Sequence, residues 1–304
     1  NKEENMAVSR SSGYGNLPND NFIPQIFSQK VQKFFRRASV VEDITNTDYA
    51  GEIENFGDTV KIIKEPVVSV QSYTRGSVVN PQDLADDQIT LVVDQANAFA
   101  FKVDDIEERH SHINFESVAT SSGAYALKNN YDQNVLSDMF SNAGTTIGSD
   151  GSGQDVGHTG SEIDPLNVMA NHSKRLNAAD IPFEQRWFIA SPNFYEQLQQ
   201  TDSKLLDTRF SGDQAGVLRN GKVYEGIIGG FALYMSNNLP ASSTSNYEKI
   251  MSGHMSSTST ANHIAKIEVV RDPDSFADVV RGLHVFGRKV LRTEALLAEH
   301  ILVD

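Results

Sequence analysis

Apolar and polar positions change their spacing several times along the chain, and the longest uninterrupted helical pattern runs from Asn114 to Asn142, NFESVATSSGAYALKNNYDQNVLSDMFSN. Asn114 with Glu116 in the first turn supplies a start signal, and Gly144 a stop signal. At 1.5 Å per residue such a helix is roughly 40 Å long, about the width of a domain. Phe115, Val118, Ala119 and Ala126 fall on one stripe, and Leu127, Tyr131, Val135 and Met139 on another, widened by Leu136 and Phe140 near the end. Two stripes predict a helix covered from two sides, a spine for whatever surrounds it.

Ahead of it, residues 1–21 are rich in Ser, Gly and Asn, the composition of a mobile or partner-dependent arm. From Phe22 the spacing of Ile23, Ile26, Phe27, Val31, Phe34 and Phe35, with Pro24 in the first turn, predicts a short amphipathic helix. Period-two alternation then starts near Thr59: Val60 and Ile62, an interruption at Pro66, then Val68 and Val70. A loop composition spans Tyr73 to Gln88, and alternation returns through Ile89, Leu91, Val93, Phe99, Phe101 and Val103. This predicts a two-stranded arm with limbs beyond the usual strand length, and such a hairpin needs a surface to lie on, for which a neighbouring subunit is the obvious candidate.

After the long helix, GTTIGSDGSGQDVGHTGS reads as a flexible loop. An α/β pattern follows: a helix from about Asp164 to Leu176, a strand from Trp187 to Ala190, and a helix opened by Ser191 and Pro192 that carries Phe194, Tyr195 and Leu198. A polar segment from Thr201 to Asn220 leads into the apolar run VYEGIIGGFALYMSNNLP. Ile250 to Met255 and Ile264 to Val270 are strand candidates bracketing an SSTSTAN turn, and the tail has strand character at Leu283 to Val290 and at its end. No internal repeat is apparent.

Composition narrows the function. The 304 residues allow about two domains, and 39% hydrophobic with 22% charged residues is a soluble, globular balance. No run of eighteen apolar residues is present, so no transmembrane helix is expected, and the polar start NKEENMAVSRSSGYG lacks the apolar core of a signal peptide. The chain does not begin with Met, so residues ahead of it could have been removed or left out; Met6 could equally be the start. Without cysteine there are no disulfides and no thiolate metal sites. A formal charge of -14 argues against gripping nucleic acid by phosphate neutralisation, but an acidic protein can still enclose DNA without adhering to it. The most basic stretch, Lys30, Lys33, Arg36 and Arg37, is either a solvated face or a contact with an acidic neighbour or packaged nucleic acid.

No catalytic, cofactor or metal residue is nominated. GSDGSGQDVG lacks the GK[ST] ending of a phosphate loop, and Asp150 and Asp155 lack the spacing of a calcium loop. His110 and His112 are two apart, and the other histidines are scattered with no HExxH. There is no GxSxG elbow, and a Cys nucleophile is impossible. Carboxylates are plentiful, yet none forms a distinguished pair. The sequence thus offers no catalytic constellation, and a soluble α/β enzyme with an unrecognised site stays open as an alternative.

Several fragments carry a family resemblance: RWFIASPNFYEQL, RFSGDQAGVLRNGKV and GIIGGFALYMSNNLP, with FIPQIFSQKV, ITNTDYAGEI and GDTVKI before them and FADVVRGLHVFGRKVLR after. In this order and spacing they resemble tailed-bacteriophage major capsid proteins of the Hong Kong 97 fold, over nearly the whole chain from Phe22. The resemblance implies an α+β capsid fold with an N-terminal arm (1–56), an extended β-hairpin loop (57–104), a peripheral domain with the spine helix and a flexible loop (105–161), an α/β axial domain (162–266), and a return to the peripheral domain that completes its sheet (267–304). It implies subunits that self-assemble as hexamers and pentamers into an icosahedral virion shell around phage double-stranded DNA, without cofactors, sequence-specific DNA binding or a membrane. Phe22, Ile23, Phe27, Phe34, Arg36 and Arg37 of the arm, and Tyr73, Arg75, Val79 and Leu84 of the loop, are then the candidate subunit contacts. Synthesis in the host bacterial cytoplasm and scaffolding, portal and decoration proteins as further partners are implied too. A long N-terminal scaffolding segment, found in some members, is absent, so scaffolding is expected to be separate or already cleaved off. Some members crosslink a Lys of the extended loop to a neighbour's Asn; here the tip carries Arg75 and no Lys, which argues against that chemistry. The same fold would also serve an encapsulin-like compartment holding protein cargo.

Overall fold

Two sheets are built from the alternating segments, and one helix joins them. The computed structural model describes residues 39–49, 59–64, 66, 68–76, 78, 81–82, 88–104, 115–200, 218–219, 222–223, 227–273 and 275–303. The expected arm and amphipathic helix before Ser39 lie outside these residues, as does most of the polar segment 201–220.

The larger sheet takes strands from across the chain: β4 (Thr145–Ile147), β5 (Gln154–Val156), β6 (Arg186–Ala190), β9 (Ile227–Ile228), β10 (Phe231–Met235), β11 (Tyr247–His254) and β14 (Leu296–Val303). Their order is β4-β14-β11-β6-β10-β9, with β5 also paired to β14. Central β6 is RWFIA, buried throughout, the composition expected of a strand covered on both faces. Phe188 and Ala190 face α3 (Pro165–Ala178) and α4 (Pro192–Gln199), packing with Val168, Met169, Leu176, Phe194 and Leu198. Both helices start as the sequence predicts, each on a proline behind a side-chain cap: Asp164 accepts from the Leu166 amide at 2.8 Å, and Ser191 Oγ from the Phe194 amide at 3.2 Å.

Trp187 and Ile189 face the other way, onto the long helix α2 (Phe115–Ser141). Its stripe of Tyr131, Val135 and Met139, with Leu136, packs against Met251, Leu296 and Ala298 of the larger sheet and Phe286 and Val290 of a second sheet. Each such side chain contributes about 1.5–3 kcal/mol by leaving water. The second sheet is antiparallel, in the order β12 (Thr258–Arg271), β13 (Ala277–Val290), β3 (Gln95–Asp104). Tyr131 meets Phe286 edge-on, ring centroids 4.9 Å apart. Thus one stripe is wedged between two sheets, while Ala126 of the other is exposed and its remaining side chains fall outside the description. A short helix, α1 (Val41–Ile44), joins this core, and β7 (Leu218–Arg219) with β8 (Lys222–Val223) forms a separate small pair.

Five expectations change. First, the hairpin ladder is short: β1 (Thr59–Ile63) pairs β2 (Gln88–Val92) from Thr59 opposite Val92 to Ile63 opposite Gln88. Past Val92 the chain crosses into the second sheet, where β3 pairs β13 and not the hairpin's other limb. Alternation continues smoothly from Ile89 to Val103, and period alone does not name a strand's partner. Second, most of SSTSTAN is strand: only Met255–Ser257 turns, and β12 begins at Thr258. Thr258, Ser259 and Thr260 are buried, with the Thr260 hydroxyl 2.9 Å from that of Thr45, so tertiary pairing overrides a turn-like composition. Third, the tail divides. β13 joins the second sheet, but β14 pairs β11 at the middle of the larger one.

Fourth, the glycine-rich stretch after α2 is tied down. β4 and β5 both pair β14 in parallel, and the intervening Asp150 accepts from Ser242 Oγ at 2.7 Å and Ser243 Oγ at 3.2 Å. Gly153 belongs there because a Cβ would lie 2.6 Å from the His300 carbonyl oxygen. Fifth, Gly144 is not a left-handed cap; a Cβ on it would lie 2.3 Å from the Thr293 carbonyl oxygen, to which its own amide donates at 3.0 Å. Gly144→Ala should therefore lower subunit stability by about 2 kcal/mol, as overpacking against a fixed backbone does. Denaturant unfolding checks this; an unchanged midpoint would contradict it.

Candidate assembly surfaces and a buried polar triad

Of the expected contact residues, Tyr73 and Arg75 fall within the description, both exposed on the outer hairpin; Phe22, Ile23, Phe27, Phe34, Arg36, Arg37, Val79 and Leu84 lie outside it. The hairpin limbs stay together beyond the ladder, since Ser69 donates its amide and its hydroxyl to the Gln82 side-chain oxygen at 2.9 and 2.8 Å. Here Val70 is 98% and Val78 86% exposed.

Sequence reasoning missed a second apolar surface. On the second sheet Ile267, Val269, Phe276 and Leu283 are exposed, at 51%, 53%, 80% and 38%. Ile267 and Val269 share a parity between Lys266 and Glu268, and that was the available signal. A groove of about 190 Å³ between this sheet and α2 is lined by Phe99, Leu127, Tyr131, Ile267 and Leu283, with a Lys128–Glu42 ion pair at 3.1 Å on its rim.

Where the described chain begins, one carboxylate anchors it to α2. Asp132 is buried and accepts from Ser39 Oγ at 2.7 Å, the Val40 amide at 3.2 Å and Asn238 Nδ2 at 3.5 Å. Burial raises its pKa, against the lowering effect of those bonds. The Asp therefore ties the incoming chain and the 236–239 turn to one point on the spine.

One constellation has the connectivity of catalytic machinery. His172 of α3 contacts Ser252 Oγ of β11 through Nδ1 at 2.6 Å and Glu299 of β14 through Nε2 at 2.6 Å. All three are buried, and Phe188 stacks edge-on to the imidazole at 5.4 Å. Nucleophilic catalysis needs the hydroxyl open to a substrate carbonyl with oxyanion donors beside it. This hydroxyl is closed off inside the sheet, so the arrangement is a polar clamp between helix and sheet. Residues 80 and 127 positions apart come together, which local pattern does not show. Among the described residues no cluster of His, Asp and Glu could hold a metal ion.

No family model matches the chain, and neither does any curated protein. Solved structures do. A chain from Mycobacterium phage Che8 aligns with a TM-score of 0.77 at 28% identity, covering 92% of this chain and 97% of that one. The capsid structure of the cyanophage P-SCSP1u aligns at 0.71 and 16% identity over 92% and 93%. The bacteriophage PhiM1 mature capsid aligns at 0.67 and 14% over 91% of each. The chain has the fold of tailed-phage major capsid proteins.

In this capsid fold α2 is the spine, and His300 beside it is one of three largely buried histidines that bear on the pH dependence of stability. His300 faces the spine side of β14, its Nδ1 3.2 Å from Asp150, its ring 5.1 Å from Phe140 of α2, with Lys249 opposite it in the ladder. Burial holds His254, His284 and His300 below the usual histidine pKa of about 6.5; Asp150 partly offsets this at His300. Folded subunits thus bind fewer of these protons than unfolded chains once the pH falls below about 6.5, and stability drops from there towards acid. Burial raises Asp132 and Asp138, whose contributions run the other way, growing as pH falls into the carboxylate range. The melting temperature of the capsid-fold subunit should be lower at pH 5 than at pH 7, and His300→Gln should narrow that difference. Scanning calorimetry at both values decides it, and equal melting temperatures would count against it.

Proposed function

We propose that the chain is a major capsid protein, many copies of which tile a closed icosahedral shell around phage double-stranded DNA. The observation that carries this is the near-complete overlap with phage capsid chains, at 28% identity for that of Mycobacterium phage Che8. Exposed apolar side chains on the hairpin (Val68, Val70, Val78) and on β12 (Ile267, Val269) support it, because among the described residues nothing of the subunit covers them. A contact of 1 mM affinity is worth only about 4 kcal/mol, but several per subunit sum steeply, so weak contacts close a shell while errors still dissociate. The net charge of -14 keeps the shell wall from trapping the genome. The role is structural, not enzymatic; the virion is its location after synthesis in the host bacterial cytoplasm. Scaffolding, portal and possible decoration proteins are its further partners.

Sedimentation velocity tests this: a megadalton particle supports the shell, whereas a small oligomer supports a soluble enzyme. The contents of the particle then separate the phage shell, filled with DNA, from an encapsulin-like compartment, filled with protein.

A further inference from the structure

A groove of about 590 Å³ lies between the base of the hairpin and the turn that carries the chain from β13 to β14. Ile62, Ile63 and Ile89 line it from the hairpin, Leu291 from the turn, and Tyr49 from the segment after α1. Ile63 is 74% exposed there. The size and the mix of apolar wall with a few charged groups are those of a ligand site.

Three cations, Lys64, Lys289 and Arg292, reach the same groove against one carboxylate, Glu294. In a chain of net charge -14 this is a local reversal of sign. Lys289 and Arg292 are exposed, and neither forms an ion pair among the described residues. The positive field continues behind the lining. Ser256, also on the groove, lies with its hydroxyl 2.9 Å from His254 Nδ1, and burial first, then Arg292 and Arg186, hold the His254 pKa down. Arg186 is buried with no carboxylate beside it: Nε and Nη2 donate to the Pro182 and Ile181 carbonyls, and Nη1 has no acceptor.

We propose that this groove receives an acidic peptide segment with spaced apolar side chains, supplied by the scaffolding protein. Its carboxylates pair with Lys289 and Arg292, and its apolar side chains lie on Ile62, Ile63 and Leu291. A nucleic-acid backbone would satisfy the cations but set phosphate and sugar against aliphatic walls, so the walls favour a peptide. The hairpin base, the end of β13 and the link to the larger sheet all line the groove, so one occupant touches all three and fixes the hairpin's setting before copies meet. This rests on the shell proposed above, in which a separate scaffolding protein acts.

Fluorescence anisotropy on the unassembled chain tests it, with a short labelled peptide of Glu interspersed with Leu as the probe. The peptide should bind wild type and lose at least about tenfold in affinity for the double variant Lys289→Glu with Arg292→Glu, and likewise for Ile63→Ser, all at exposed positions. Controls on the peptide need no substitution in the protein: Lys in place of Glu should abolish binding, and Ser in place of Leu should weaken it at least about tenfold. No binding to wild type, unchanged affinity in the variants, or equal binding of the peptide without Leu would each overturn the proposal. A short DNA duplex that binds more tightly than the peptide would overturn it in favour of nucleic acid. All of these outcomes leave the shell standing, which falls instead if the wild-type chain forms no particles with or without candidate scaffolding protein.

Discussion

His172→Ala is expected to destabilise the subunit by about 3–5 kcal/mol, a large fraction of the about 5–15 kcal/mol that holds an ordinary domain folded. The imidazole joins three elements, α3, β11 and β14, through its bonds to Ser252 and Glu299. Removing it leaves a cavity against Phe188 and, more costly, a buried carboxylate without its partner. Glu299 has no second exit to solvent, and one of its oxygens already lacks a hydrogen bond. Replacing both ends with apolar groups of similar volume, His172→Phe with Glu299→Leu, should recover part of the loss, because no carboxyl group is then left without a partner, although the Ser252 hydroxyl loses its own. Chemical unfolding of the two single variants and the double variant measures the coupling. Additive losses would show that the pair is not a unit.

Deleting residues 76–87 should abolish shells and leave a folded subunit. Among the described residues, the three buried clusters draw on the hairpin through Val60, Ile62, Leu91 and Val93 near its base, and not through its outer part. The described apolar residues there, Val68, Val70, Tyr73 and Val78, are instead exposed to solvent. Thermal unfolding should therefore shift little, while sedimentation moves from particle to small species. Normal shells from the deletion variant would sink the idea that hairpin overlap holds copies together.

Local chemistry was well written in the chain where it acts over a few residues. The long helix begins and ends within a residue of Asn114 and Asn142, and Ser191 with Pro192 opens α4 as read. The α+β class was legible too. What the pattern could not show was partnership at long range. Phe99, Phe101 and Val103 alternate as a strand should, but nothing local says that they pair β13 instead of the hairpin. Leu296 to Val303 reads as a strand with no sign that it crosses to the larger sheet. His172, Ser252 and Glu299 are unremarkable until folding buries them together, and a glycine-rich stretch looks loose until Asp150 and the β14 ladder fix it. For the contact surfaces, exposure of Ile267 and Val269 depends on β12 being an edge, which is a property of the sheet and not of the segment.

Electron microscopy of the purified protein, alone and coexpressed with candidate scaffolding protein, tests the central claim most directly. The account predicts closed icosahedral particles whose density fits the two-sheet subunit with α2 between the sheets and the hairpin reaching onto a neighbour. A uniform field of small oligomers under both conditions would contradict it.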